Sequence, residues 1–413
     1  MDPHRIRQDF PIFQHPDNKR FVYLDSAATA HKPHMVINAM NDFYRSSYAT
    51  VHRALYERGE MATTQYEAVR DKITSFINAR HREEIIFTKG TTESINFIAT
   101  AWAREHLKPG DQILVTQAEH HANLIPWQQV AAHTGAQLVF IPIDPKTFTL
   151  EAPEKCLTPH TKLVAITHMS NILGPLWERG QLEKFIAQAH TQGAYVLLDA
   201  AQSVAHTKVD VQKLGADFVA FSGHKMFGPT GIGVLYIARH LHDMVHPYQY
   251  GGSMIREVTF TSATWAPSPQ KFEAGTPPIA EVIGLGAAVD YMQSTINYDK
   301  LNLHEAQLCR TLITALQKID DISILGNRER LTQEGHLVSI AFNKAHAHDI
   351  AALLGYNGVA TRAGNLCAQP LINHLGFESV LRVSLAAYNT EHDIQIFLQE
   401  LPSCLTTMHQ VAL

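Results

Sequence analysis

A single lysine, Lys225, stands between two apolar stretches that have the composition of buried strands. Residues 218–221 precede it and residues 234–237 follow it, after a glycine-rich turn. Burying an ordinary ammonium group is costly, and a lysine that loses its proton or forms a Schiff base avoids that cost. Lys225 is therefore a candidate catalytic amine. Most lysines lie in surface loops, however, and the local pattern leaves both interpretations open.

A second candidate is the sequence Gly90-Thr91-Thr92, which lies between a predicted strand at 84–88 and a predicted helix at 93–105. At a helix N-terminus these residues would offer backbone N–H groups, two hydroxyls and the positive end of the helix dipole, which together suit a phosphate. A threonine that only caps the helix is the simpler alternative.

Strands and helices alternate along the chain, and the strands are almost continuously apolar. This pattern predicts an α/β fold with a mostly parallel central sheet that is covered by helices on both faces. Ligands of such sheets bind at the carboxyl ends of the strands. Six candidate residues directly follow predicted strands: Thr92, His120, Asn171, Asp199, Gln202 and Lys225. The sequence therefore predicts one site that contains all six.

A phosphate seat, an aspartate at a strand end and a lysine two β-units later fit one cofactor particularly well. Pyridoxal 5'-phosphate (PLP) requires a Schiff-base lysine, an acidic partner for its pyridine nitrogen and a phosphate cradle. Lys225, Asp199 and the turn at 90–92 would supply these three elements.

Composition narrows the class of protein. The chain has 413 residues, 45% of them hydrophobic, and a formal net charge of -5, which argues against nucleic acid as the main partner. It contains no apolar run long enough for a membrane span and no secretory signal, so we expect a cytoplasmic protein. Four scattered cysteines form no C-x-x-C pair, and the close histidine pairs lack carboxylate companions, so we predict no bound metal.

The length predicts two domains. We place a large cofactor-binding domain at 21–290. A smaller α+β domain would consist of 1–20 and 291–413, and it would carry the loop at 362–370.

Several longer stretches resemble the class V aminotransferases, a family of fold-type I PLP enzymes, and within it the group II cysteine desulfurases of the SufS and CsdA kind. They occur in the same order along nearly the whole chain: YLDSAAT at 23–29, GTTE at 90–93, EHHAN at 119–123, SGHK at 222–225, GPTGIG at 228–233, FEAGTP at 272–277, RAG at 362–364, CAQPL at 367–371, LR at 381–382 and YNT at 388–390.

The resemblance implies a role for each cofactor residue. Lys225 would form the Schiff base and later transfer protons, Asp199 would keep the pyridine nitrogen protonated, and Gln202 would bind the phenolic oxygen. His120 would stack on the ring and take part in proton transfer. The phosphate would be bound by Thr92, Ser222 and His224. Family members are dimers, and Thr276 matches the residue that reaches the partner's phosphate.

The resemblance also implies the substrate and the reaction. Arg382 would bind the carboxylate of L-cysteine, assisted by Asn171 and the backbone near Ala28. The thiolate of Cys367 would attack the substrate sulfur, leaving a persulfide on Cys367 and releasing L-alanine, and Arg362 is a candidate cation beside that thiolate. A small sulfur-acceptor protein of the SufE type would take the sulfur from the persulfide on Cys367 and supply it to iron–sulfur cluster assembly or a related pathway.

Three positions depart from the family pattern: Leu366 replaces the usual histidine before the nucleophile, Tyr250 a glycine and Pro278 an asparagine. Alternatives therefore remain. One is a selenocysteine lyase or cysteine sulfinate desulfinase, since selenium and sulfinate leave without needing a thiol. Another is a class V aminotransferase or epimerase, against which Cys367 argues. The third is a non-catalytic sulfur carrier or scaffold.

Overall fold

A computed structural model of the chain describes residues 1–411. Within that range the helices are α1 (Pro3–Gln8), α2 (His34–Asp42), α3 (Glu57–Phe76), α4 (Thr91–Ile98), α5 (Arg104–His106), α6 (Ile125–Thr134), α7 (Gln181–Thr191), α8 (Ser203–His206), α9 (Val211–Leu214), α10 (Ile279–Thr295), α11 (Tyr298–Leu316), α12 (Arg328–Glu334), α13 (Ala347–Tyr356), α14 (Gln369–His374) and α15 (Glu391–Val411).

The strands of the same range are β1 (Val22–Tyr23), β2 (Ile85–Thr88), β3 (Gln112–Thr116), β4 (Gln137–Ile141), β5 (Thr161–Thr167), β6 (Met169–Ser170), β7 (Gly174–Pro175), β8 (Tyr195–Asp199), β9 (Phe218–Ser222), β10 (Gly233–Ile237), β11 (Ile255–Val258), β12 (Ala263–Trp265), β13 (Ile322–Leu325), β14 (Leu337–Phe342), β15 (Val359–Ala360), β16 (Arg362–Gly364) and β17 (Val380–Ser384).

The central element is a seven-stranded sheet with the order β2-β10-β9-β8-β5-β3-β4. Strands β9, β8, β5, β3 and β4 run parallel to one another, whereas β10 is antiparallel to both β2 and β9. Every residue of β9 and β10 is buried, as expected for strands that are covered on both sides. Helices α4, α6 and α7 pack against the sheet. The α/β fold with a mostly parallel sheet is therefore confirmed.

A second, antiparallel sheet has the order β13-β14-β17-β16 and its own hydrophobic cluster, to which α11, α13 and α15 contribute. The N-terminal residues Ile6 and Phe10 belong instead to the cluster of the large sheet. The division into domains at residues 20 and 290 stays a prediction.

The two sheets meet through the N-terminal segment. Strand β1 pairs in parallel with β15, and Asp25 forms an isolated bridge with Ser384 at the end of β17. This pairing brings the turn after β1 to the carboxyl ends of the parallel strands, beside the residues on β16 and β17. No helix within residues 1–411 is long and apolar enough to cross a membrane.

Candidate active site

A cavity of about 440 Å³ lies at the carboxyl ends of β5, β8 and β9. Every predicted site residue except Thr276 lines it: Ala28, Thr92, His120, Asn171, Asp199, Gln202, Ser222, His224, Lys225, Arg362, Cys367 and Arg382. These residues come from both sheets and from the turn after β1. The single site that the strand-end pattern predicts is therefore present as a cavity.

One end of the cavity is suited to bind an anion. Helix α4 begins there, and the Thr91 backbone N–H and hydroxyl both lie within hydrogen-bond distance of the Ser222 hydroxyl, at 2.8 and 2.7 Å. A Cβ on Gly233 would lie 2.5 Å from the Gly90 Cα atom, so only glycine allows β10 to approach this turn. Thr92 lines the cavity beside these groups. Thr91 belongs to the predicted phosphate-binding turn at 90–92, although the family resemblance assigns it no role of its own.

Lys225 lies in a short helical turn that directly follows β9. Burial lowers the pKa of its amine to about 8, although the nearby Asp199 carboxylate acts in the opposite direction. Lys32 stabilises this turn, because its Nζ donates a hydrogen bond to the carbonyl oxygen of His224 at 3.0 Å. Lys225 is thus a lysine with a weakened proton affinity in a cavity, as a catalytic amine requires.

Asp199 is buried at the end of β8, and burial raises its pKa above the ordinary value. Its Oδ1 accepts a hydrogen bond from the Ala201 backbone N–H at 2.9 Å. Gln202 is buried nearby, and its Nε2 donates to the Ala27 carbonyl oxygen at 2.9 Å. The strand end therefore presents an acid and an amide side by side.

His120 follows β3 and is kept neutral. Burial, followed by the charge of Lys225, lowers its pKa to about 3, and its Nδ1 accepts a hydrogen bond from the Ala122 N–H at 3.0 Å. The preceding Glu119 is fully buried and accepts hydrogen bonds from Thr116, Asn123 and the Thr167 N–H. Glu119 thereby fixes the backbone that carries His120, a role that the sequence prediction did not assign.

Two arginines that line the cavity, Arg362 and Arg382, share the carboxylate of Asp25. Arg362 and Arg382 are directly opposite each other on β16 and β17, where like charges repel. Asp25 offsets this repulsion, with Arg362 Nη2 at 2.8 Å and Arg382 Nη2 at 3.4 Å from its carboxylate. Arg382 Nη1 donates to the Asn171 carbonyl oxygen at 2.9 Å. Asp25 was missed as a site residue, although it stands in the same turn as Ala28.

Cys367 is exposed and lies in the loop between β16 and α14. Lys225, Arg362 and Arg382 line the same cavity as Cys367. Reactive cysteines need basic groups of this kind nearby. The other cysteines differ, since Cys309 and Cys404 are buried and Cys156 is partly buried.

Thr276 does not join the cavity of its own chain. It is exposed and lines a separate cavity of about 120 Å³ near Glu93 and Tyr248. Because the prediction assigned Thr276 to a partner's phosphate, this location leaves it a prediction. Among the described residues no cluster of histidine, cysteine or carboxylate side chains could hold a metal ion.

Comparisons with known proteins identify the family. The model of the class V aminotransferase family matches residues 22–397. A probable cysteine desulfurase of Halalkalibacterium halodurans is 44% identical over 396 residues, 95% of this chain and 96% of that protein. A cysteine desulfurase of Salmonella typhimurium is 44% identical over 412 residues, 98% of each chain.

Solved structures give the same result. The cysteine desulfurase CsdA of Escherichia coli superposes with a TM-score of 0.89 at 38% identity, covering 98% of this chain and 99% of that one. The apo cysteine desulfurase of Thermococcus onnurineus superposes with a TM-score of 0.92 at 36% identity, with the same coverage. The chain therefore belongs to the class V aminotransferase family and, within it, to the cysteine desulfurases.

Proposed function

We propose that this protein is a PLP-dependent enzyme that converts L-cysteine to L-alanine and transfers the sulfur to Cys367. The observation that carries the proposal is one cavity lined by an amine of lowered pKa (Lys225), a buried acid (Asp199), a buried arginine (Arg382) and an exposed cysteine. An aminotransferase has no need of the cysteine, whereas a desulfurase needs all four.

The donors and acceptors of the cavity fit PLP. Thr92, Ser222 and His224, at the start of α4 and the end of β9, would bind the phosphate. Asp199 would pair with the pyridine nitrogen, Gln202 would donate to the phenolic oxygen, and the neutral His120 ring would cover one face. When bound, PLP draws electrons away from the substrate carbons, which allows the carbon–sulfur bond to break.

Lys225 would serve first as a nucleophile and then as a proton carrier. With a pKa near 8, an appreciable fraction of its amine is neutral at pH 7, the form that a Schiff-base lysine requires. The neutral Nζ would also accept a proton from the substrate α-carbon and donate one to the product. His120, which is held neutral, is the second group able to move a proton there.

Arg382 would bind the substrate carboxylate. Its guanidinium is buried, and its Nε has no hydrogen-bond partner within the described part of the chain. Among residues 1–411 the one hydrogen bond of its Nη2 is the 3.4 Å contact with Asp25, so Nε and Nη2, on one edge of the guanidinium, are available for a bidentate carboxylate contact. Asn171, Ala28 and Arg362 would complete this part of the site.

Cys367 would accept the sulfur. Its thiolate attacks the substrate sulfur, so that a sulfur–sulfur bond forms while the carbon–sulfur bond breaks and its electron pair stays on carbon. A proton delivered to that carbon then yields alanine. Arg362, Arg382 and Lys225 line the cavity beside Cys367, and basic groups of this kind are what a reactive cysteine needs.

Membership of the family supports a proposal for the biological setting. We propose a homodimer in which Thr276 reaches the partner's phosphate, with a large cofactor-binding domain at 21–290 and a small domain at 1–20 and 291–413. A small sulfur-acceptor protein of the SufE type would take the persulfide sulfur for iron–sulfur cluster assembly or a related pathway. Four free cysteines suit a reducing compartment, and we place the enzyme in the cytoplasm.

The deciding experiment measures alanine released from L-cysteine, with a thiol reductant present, by the wild type and by Cys367→Ala. We expect the wild type to turn over and the variant to be inactive on cysteine, yet to release alanine from cysteine sulfinate or selenocysteine. Equal activity of both proteins on cysteine would exclude Cys367 as the sulfur acceptor. A lyase or an aminotransferase would then be the better assignment.

A further inference from the structure

The loop that carries Cys367 has an unusual backbone. Leu366 and Cys367 are consecutive residues with positive φ angles, 48° and 57°. Residues other than glycine rarely adopt this left-handed conformation, and they persist in it only where surrounding contacts hold them. The loop must therefore be fixed by neighbouring groups.

Most of those contacts come from His121. Its backbone N–H donates to the Cys367 carbonyl oxygen at 2.7 Å, and its ring Nε2 accepts the backbone N–H of Gln369 at 3.1 Å. One residue thus binds the chain at the nucleophile and again two residues later. On the other side, Asn171 Nδ2 donates to the Leu366 carbonyl oxygen at 2.7 Å.

The ring contact requires one protonation form. An Nε2 atom that accepts a hydrogen bond carries no proton, so the ring must be neutral with its proton on Nδ1. Burial lowers the pKa of His121, which favours the neutral form. His121 also directly follows His120, which lines the cavity, so a single turn of chain connects the cofactor side of the site to the nucleophile loop.

We infer that His121 is a positioning residue for Cys367: its Nε2 closes the turn after the nucleophile and holds the thiol within reach of the substrate sulfur. This inference rests on the proposed function. It predicts that losing the Nε2 acceptor slows the step that needs the thiol and leaves the other steps unchanged.

Two substitutions separate the ring contact from the backbone contact, because the His121 backbone N–H survives in both. His121→Gln supplies an amide oxygen that can accept the Gln369 N–H, whereas His121→Phe keeps a ring and removes the acceptor. Turnover of L-cysteine and of cysteine sulfinate would be measured on the PLP-loaded enzyme. Release of the sulfinate group from cysteine sulfinate needs no thiol, so turnover of cysteine sulfinate reports on the rest of the site.

With cysteine, we expect His121→Phe to lower kcat about tenfold with KM within twofold of the wild type, since a displaced nucleophile slows the reaction without weakening substrate binding. His121→Gln should recover most of this loss. Turnover of cysteine sulfinate by both variants should stay within twofold of the wild type. A loss on both substrates, or a His121→Gln variant as slow as His121→Phe, would overturn the inference.

A second readout does not depend on activity. The rate at which iodoacetamide alkylates Cys367, followed by peptide mass spectrometry, should change several-fold in His121→Phe and remain near the wild-type rate in His121→Gln. An unchanged rate in both would overturn the inference. The Cys367→Ala enzyme distinguishes failure of the proposed function from failure of this inference. If Cys367→Ala still desulfurates cysteine, the proposed function fails. The alkylation rates of the His121 variants test the positioning of the loop independently of that result.

Discussion

Replacing Arg382 by alanine should weaken the binding of cysteine while leaving the fold intact. Only about 3% of the Arg382 side chain is exposed, so its contact with a carboxylate is shielded from water. A hydrogen bond to a charged group contributes about 1.5–3 kcal/mol. Arg382→Ala removes both bonds of the bidentate contact, and the loss of only one would already raise KM for cysteine roughly 10- to 150-fold, at about 1.4 kcal/mol per factor of ten.

The structure also indicates why the Arg382→Ala variant should fold. Asp25, which Arg382 contacts at 3.4 Å, keeps the two shorter bonds from Arg362 Nε and Nη2, at 2.9 and 2.8 Å. The Asp25 carboxylate is therefore not left without a cation. The Asn171 carbonyl oxygen loses one donor, which costs about 1–3 kcal/mol. That loss is smaller than the roughly 5–15 kcal/mol that stabilises a typical protein.

The assay compares cysteine with cysteine methyl ester, which has no carboxylate, by titrating the change in cofactor absorbance. The wild type should prefer cysteine, and Arg382→Ala should lose that preference. Arg310→Ala, which removes an exposed arginine of α11, is the matched control and should behave as the wild type. If Arg382→Ala still prefers cysteine by the wild-type factor, the carboxylate is bound elsewhere and the assignment of Arg382 is refuted.

Two further predictions concern Lys225 and Leu366. Because burial lowers the pKa of Lys225 to about 8, the rate at which the apoprotein binds PLP should rise as the pH increases through about 8 and level off above it. The charge of Asp199 favours the protonated amine, so Asp199→Asn should move the midpoint of this pH profile to a lower pH. A midpoint near the ordinary lysine value of about 10.4 would contradict this. Leu366→His should leave the cofactor spectrum unchanged while altering persulfide turnover; if neither turnover nor the response to a sulfur acceptor changes, this departure from the family is neutral.

The sequence predicts the sheet and the residues at its strand ends because both depend on local patterns. Apolar strands such as β8 and β9 are recognisable in any parallel sheet, and the residues that follow them must meet at one edge. Asp199 and Lys225 can therefore be assigned to one site from their positions in the sequence alone. Thr91 and Thr92 lie in the turn at 90–92 that the sequence predicts as a phosphate site, but the contact of the Thr91 hydroxyl with Ser222 joins residues 131 positions apart, which no local pattern shows.

The missed residues are those whose contacts join distant parts of the chain. Asp25 binds arginines more than 330 positions away, and no local pattern shows that β1 lies beside β17. Glu119 reads as an ordinary polar residue, yet it is the buried acceptor that holds the turn before His120. Such supporting groups become visible only when the two sheets are seen together.

The same reasoning explains why the nucleophile loop is the feature most worth testing. Lys225 and Asp199 are fixed by strands whose buried side chains specify their position. Cys367 lies instead on an exposed loop in a strained backbone conformation, and hydrogen bonds to His121 and Asn171 hold that loop. A few contacts therefore control where Cys367, the proposed sulfur acceptor, lies, and Leu366 precedes it at the position where the family resemblance predicts a histidine. Differences between this enzyme and its relatives in sulfur transfer should accordingly originate in this loop, while binding of the cofactor and of the substrate carboxylate stays the same.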